Sequence, residues 1–167
     1  MRRGIFTGLL LLLFLSSCTT ASREQPEESV RGYLIDYGVI KPTSQQQRYA
    51  VPDQPGRFAI NADLEIVKKT EEIPLKQGTA FGIVWAISGL KEKTIEVVYS
   101  VEHPEIILEN GEKSRLGTER MTHQVVDGIA GSIDGYILNH KYELVAGDWK
   151  VSIKYKSIEI SKTFKVY

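Results

Sequence analysis

Residues 149–156 read WKVSIKYK, and their alternation decides the fold class. Trp149, Val151, Ile153 and Tyr155 share one phase, while Lys150, Ser152, Lys154 and Lys156 share the other. A β-strand turns successive side chains to opposite faces, so this stretch points four apolar groups into a core and four polar ones outward. The same period runs through Phe81, Ile83, Trp85 and Ile87, and through Ile95, Val97, Tyr99 and Val101. It runs also through Phe58, Ile60, Ala62, Leu64 and Ile66. Weaker versions occupy 33–40, 120–126, 136–140 and 158–166.

Turn-forming residues fall between these stretches: Gly89, Asn110-Gly111, Asp127-Gly128, Asp134-Gly135 and Gly147-Asp148. No segment sustains the three-four apolar spacing of a helix. The pattern predicts an all-β domain, an antiparallel β-sandwich of immunoglobulin-like type with seven to nine strands. A small closed barrel is the alternative. One segment, 41–56 (KPTSQQQRYAVPDQPG), interrupts the rhythm with three prolines and a glutamine triplet. It reads as a long loop, either a tolerated surface insertion or a functional one.

The N-terminus carries a different message. Arg2 and Arg3 precede the apolar run IFTGLLLLLFL (5–15) and the small residues Ser16 and Ser17. That layout is an export signal, and the run is too short for a membrane span, which takes about 20 residues. Leu15-Ser16-Ser17-Cys18 resembles the lipobox of bacterial lipoproteins. The resemblance implies cleavage before Cys18, a diacylglycerol on its sulfur and acylation of the new amino group. Two or more acyl chains give stable anchoring where one gives only marginal binding. The competing readings are an ordinary secretory signal or a lone reactive thiol, but Cys18 has no nearby histidine partner and no companion ligand.

The expected organisation is thus a cleaved signal at 1–17, the lipidated Cys18 with a flexible tether through 30, and a β-sandwich over 31–167. The tether, TTASREQPEESV (19–30), has almost nothing to bury. The residue after the cysteine is Thr19, not Asp, and likeness to Gram-negative lipoproteins with that pattern implies an outer-membrane position facing the periplasm; in a cell with one membrane the same anchor sits on its outer face. The bilayer is then one partner, through acylated Cys18, and another envelope protein is a second.

Composition narrows function further. Without Arg2 and Arg3, the 21 basic residues become 19 against 21 acidic, a net of −2. Evenly mixed charge gives no footprint for nucleic acid or for a polybasic membrane patch. Once Cys18 is acylated no free thiol remains, since it is the only cysteine.

Candidate chemistry is thin. His103, His123 and His140 are 20 and 17 residues apart, so a metal site would require their convergence in three dimensions. Glu102 and Glu105 flank a presumed His103-Pro104 turn, and Trp85 and Trp149 are candidates for either a sugar platform or the core. Their apolar phase favours the core. No nucleophile elbow, phosphate loop or calcium loop is present, and nothing calls for a cofactor. The expectation is a non-catalytic binding or structural module, with an envelope hydrolase or a metal-handling lipoprotein as alternatives.

Several strings together resemble a bacterial domain-of-unknown-function family. They are Thr70-Glu71-Glu72-Ile73-Pro74, Gly78-Thr79-Ala80-Phe81-Gly82, His103-Pro104, and Tyr142-Glu143-Leu144-Val145-Ala146-Gly147-Asp148-Trp149. Tyr142 stands where the family often has Trp, and Ala146 where it often has Pro. The resemblance implies one exported all-β domain and assigns no catalytic residue.

Overall fold

The computed structural model describes residues 29–44, 47–50, 58–61 and 64–167. The signal, Cys18 and most of the expected tether lie outside them. Eleven strands occur among the described residues: β1 (Arg31–Pro42), β2 (Gln47–Ala50), β3 (Phe58–Asn61), β4 (Leu64–Lys68), β5 (Glu72–Ile73), β6 (Ala80–Ser88), β7 (Thr94–Ile107), β8 (Lys113–Gln124), β9 (Ala130–Ile137), β10 (Gly147–Tyr155) and β11 (Ile158–Val166). A single 3-10 turn, Lys141–Glu143, precedes β10.

Nine strands form two sheets, ordered β4-β1-β6-β9 and β5-β11-β10-β7-β8, and β2 and β3 make a separate hairpin. The chain is a sandwich, so the barrel alternative is not adopted. Pairing is antiparallel except where two-residue β5 lies parallel to β11, Glu72 opposite Lys165.

The core is the product of the alternation. Phe81, Ile83, Trp85 and Ile87 from β6 meet Trp149, Val151 and Ile153 from β10, and all seven are fully buried. Burying one such side chain contributes about 1.5–3 kcal/mol, so this layer is the main source of stability. Strand β6 is buried on both sides: its other phase, Val84 and Ala86, joins smaller apolar clusters with Ile133 and Ile129. The near-continuous apolar run of β6 has its explanation there.

Four expectations need correction. The 58–66 alternation is not one strand: 58–61 pairs with β2, while 64–68 pairs with β1. The 41–56 segment is not wholly loop, since Lys41 and Pro42 end β1 and Gln47–Ala50 forms β2; residues 45–46 and 51–56 lie outside the described ones. His103-Pro104 is no turn but the interior of β7, where the register with β8 breaks between Glu102 and Ile106. A proline cannot donate to the ladder, and a bulge accommodates it.

Asp134-Gly135 is likewise mid-strand in β9. Gly135 stands opposite Gly82 of β6, and a Cβ on either would come 2.7 Å from the other's Cα. The two glycines allow close approach of the backbones there, not a reversal of the chain.

Candidate functional site

The three histidines do not form one site. His103 is buried in β7; its Nδ1–H donates to the Pro104 carbonyl at 2.8 Å, and its ring lies 5.0 Å from that of Trp149. His140 caps the 3-10 turn and stacks on Tyr142 at 5.0 Å. Its backbone N–H donates to Glu143, whose other carboxylate oxygen accepts from the Tyr136 hydroxyl at 2.7 Å. Glu143 is buried but satisfied by these two donors, and burial beside it pushes the Tyr136 hydroxyl well above its ordinary range.

These contacts give the family-like strings a physical meaning. Gly147 has φ +137°, and a Cβ there would sit 2.7 Å from Pro104 Cγ. Pro104 therefore packs on Gly147, His103 packs on Trp149, and the Trp149 indole donates to the Val145 carbonyl at 3.1 Å. The His-Pro pair of β7 and the segment that leads from the 3-10 turn into β10 pack together at one end of the sandwich. Ala146 is exposed in that segment.

His123 belongs to a different group, at the open side where β8 passes β9. Its ring sits edge-on to Trp85, centroids 4.9 Å apart, and its Nε2 is buried without a partner. The Trp85 indole donates to Asp134 at 2.6 Å. Burial raises the Asp134 carboxyl above the ordinary value and lowers the His123 imidazole, each partly offset by attraction to the other. The Tyr99 hydroxyl donates to the Gly135 carbonyl. Among the described residues no group of three or more His, Cys, Asp or Glu side chains is placed to hold a metal ion.

Glu105, the other acid singled out beside Pro104, pairs with Lys113 at 2.8 Å and Arg115 at 3.1 Å, which hold its carboxyl below the ordinary value. Glu102 faces outward, 3.6 Å from Lys150. Both tryptophans are fully buried and present no platform. These groups have structural work to do, and none forms a nucleophile–base pair.

What the sequence did not single out lies on the outer face of the five-stranded sheet. Thr118 of β8 pairs with Ser100 of β7, Ser100 with Ser152 of β10, and Ser152 with Ser161 of β11. At the usual strand spacing of about 4.8 Å, the four hydroxyl residues form a row roughly 14 Å long, perpendicular to the strands. The first three floor a groove of about 490 Å³. Ser152 is only 4% exposed, and its Oγ has no hydrogen-bond partner. Buried hydroxyls are ordinarily paired, so this one is an exception that marks the groove.

Aliphatic and charged groups wall the floor. Val98 and Leu116 stand beside it, Leu116 being 53% exposed. Lys150 and Lys154 flank Ser152 along β10, and Lys150 bonds Glu159 at 2.8 Å. A second concavity, about 330 Å³, runs from Val39 to the 74–80 segment, but there backbone bonds such as Gly78 N–H to the Leu138 carbonyl tie the turn down.

The serine row was invisible in sequence because each member is an unremarkable polar residue on its own strand. Only the register across four strands aligns them.

A solved structure, described as an immunoglobulin-like protein from Pseudomonas aeruginosa, matches with a TM-score of 0.60 and 21% identity, covering 86% of this chain and 100% of its own. That likeness supports the immunoglobulin-like sandwich. A comparison with curated proteins finds no match. The model of a family described as a domain of unknown function (DUF3859) matches residues 29–166. The chain belongs to that family.

Proposed function

We propose that this protein is a lipid-anchored envelope module that works by binding, through the outer face of its five-stranded sheet. The observation that carries the reading is Ser152: a buried, unpartnered hydroxyl on the floor of a groove. Leaving such a group unsatisfied costs about 1–3 kcal/mol, which a donor or acceptor seated on the floor would recover once the side chains covering the hydroxyl move aside. The binding reading is favoured over the envelope hydrolase because the histidines and buried carboxylates are committed to packing and caps. The metal-handling reading has the scattered histidines against it.

The anchor rests on Leu15-Ser16-Ser17-Cys18. With acyl chains on Cys18 and a tether reaching on the order of 40 Å at full extension, the sandwich works near a membrane surface. The periplasmic face of an outer membrane is the location that Thr19 favours.

Two measurements test the proposal. Cys18→Ser should remove the acyl mass and release the protein from the membrane fraction; unchanged mass and fractionation would refute the anchor. After a wash that strips groove-bound protein, the Cys18→Ser variant should be recovered soluble; purified and added back to an excess of isolated envelope material it should cosediment, and Ser100→Trp, which fills the groove, should abolish that. Cosedimentation indifferent to Ser100→Trp would show that the groove is not the binding surface.

A further inference from the structure

We infer that the groove takes a polyhydroxylated saccharide, in a mode that rests on the binding reading above. The floor is the first reason. Thr118, Ser100 and Ser152 carry hydroxyls at successive positions across three strands, and Ser161 continues their line. A hydroxyl both donates and accepts, and it rotates to suit its partner. A ligand whose own surface is a series of hydroxyls meets such a floor at every position.

Charge is the second reason. Lys150 and Lys154 face Glu102 and Glu159 across the groove, and Lys150 already contacts both carboxylates, at 3.6 and 2.8 Å. Arg115 is paired with Glu105. Mixed, mutually compensated charge gives no field for a phosphate chain or an acidic polymer. It does supply carboxylates that accept from neighbouring sugar hydroxyls and ammonium groups that donate to ring or carbonyl oxygens.

Direction is the third. Peptide strands dock on a sheet by adding to its edge, parallel to the strands, where backbone groups are free. The hydroxyl row runs across the strands on a face whose backbone bonds are already spent within β7, β10 and β11. An extended peptide lying there would find side-chain hydroxyls but no ladder. Val98, Leu116 and the lysine stems offer the aliphatic flank that suits the C–H face of a pyranose ring.

No aromatic side chain lines the groove, so stacking does not add to affinity. The expected Kd lies in the range of about 0.1–1 mM, typical of a weak site that gains strength when anchored proteins engage a polymer many times over.

The experiment is a titration of the isotopically labelled, purified full-length protein with three probes, followed by amide NMR. The probes are a tetramer of N-acetylglucosamine, maltotetraose and an uncharged extended hexapeptide. Saccharide should shift resonances along Thr118, Ser100, Ser152 and Ser161. Ser152→Ala should weaken that binding roughly three- to tenfold, and Thr118→Val should do the same by an independent route. Thermal stability of Ser152→Ala should be unchanged or slightly raised, because an unpaired buried hydroxyl has been removed; a purely structural serine would give the opposite.

Absence of saccharide-induced shifts at the groove, or shifts there from the peptide alone, would overturn the inference. If groove-dependent cosedimentation with envelope material persisted in that case, the binding reading would stand and only the saccharide would fall. Loss of both would end both.

Discussion

Replacing Trp85 by Phe gives a test in which pH separates two contributions. The Trp85 indole is fully buried and donates to the Asp134 carboxylate at 2.6 Å. A hydrogen bond to a charged group contributes about 1.5–3 kcal/mol, whereas the smaller ring leaves a cavity worth about 1–2 kcal/mol at any pH. Asp134 already has its folded pKa above the ordinary 3.8, chiefly through burial, and the Trp85 donor pulls it back down. A raised carboxyl pKa means that this group's stability contribution is complete below about pH 3.8 and is lost as pH rises through the folded value. Removing the indole donor raises the folded pKa further and enlarges that loss.

The cost of Trp85→Phe should therefore approach the cavity cost of about 1–2 kcal/mol as pH falls and Asp134 takes up its proton, and grow by up to about 1.5–3 kcal/mol as pH rises towards 7 and the carboxylate forms. Urea denaturation of both proteins at pH 4, 5.5 and 7, with transitions checked for equal slopes, reads this directly. A destabilisation that is flat across that range, or larger at acid pH, would refute the assignment of Trp85 as the donor that makes a buried carboxylate tolerable.

Other predictions follow from the same geometry. Asp134→Asn removes the opposing carboxyl titration and unmasks His123, whose folded pKa lies below 6.5; stability of that variant should fall as pH drops from about 7.5 through 6.5, as chemical denaturation would show. Gly135→Ala places a methyl against the Gly82 backbone and should cost more than about 3 kcal/mol or prevent folding, measured by thermal melting. Glu143→Ala strands the Tyr136 hydroxyl and the His140 N–H and should cost about 2–3 kcal/mol, while Glu143→Gln should recover part of it. Lys162→Ala removes a largely covered ammonium that pairs with Glu71 and lies over the Tyr37 ring, and should lower the melting temperature more than Lys113→Ala, which removes only an exposed partner of Glu105.

The alternation of WKVSIKYK carried the reading of the fold because one period can serve only one face of a sheet. Trp85 and Trp149 followed from the same phase argument and are fully buried. What misled the reading was local turn chemistry. Asp134-Gly135 has the composition of a hairpin turn, yet Gly135 serves backbone approach to Gly82, and Asp134 accepts from Trp85 across the sheet. Pro104 suggested a strand end, yet β7 runs through it because a bulge absorbs the missing donor and Gly147 makes room for the ring.

The groove was harder still. Ser100 and Thr118 come from consecutive strands but Ser152 from a distant one, and no one-dimensional signal records that hydrogen-bond register stacks them in a row. His103, His123 and His140 show the converse. They were the residues whose chemistry drew attention, and packing accounts for each of them.

The most direct test of the binding account is photocrosslinking in living cells with a photoreactive residue at Leu116, on the groove wall, compared with one at Val67, exposed on β4 of the other sheet. A discrete adduct at position 116, absent at 67 and lost when Ser100→Trp fills the groove, is the predicted result. Equal labelling at both positions, or an adduct at 116 that survives filling of the groove, would contradict it.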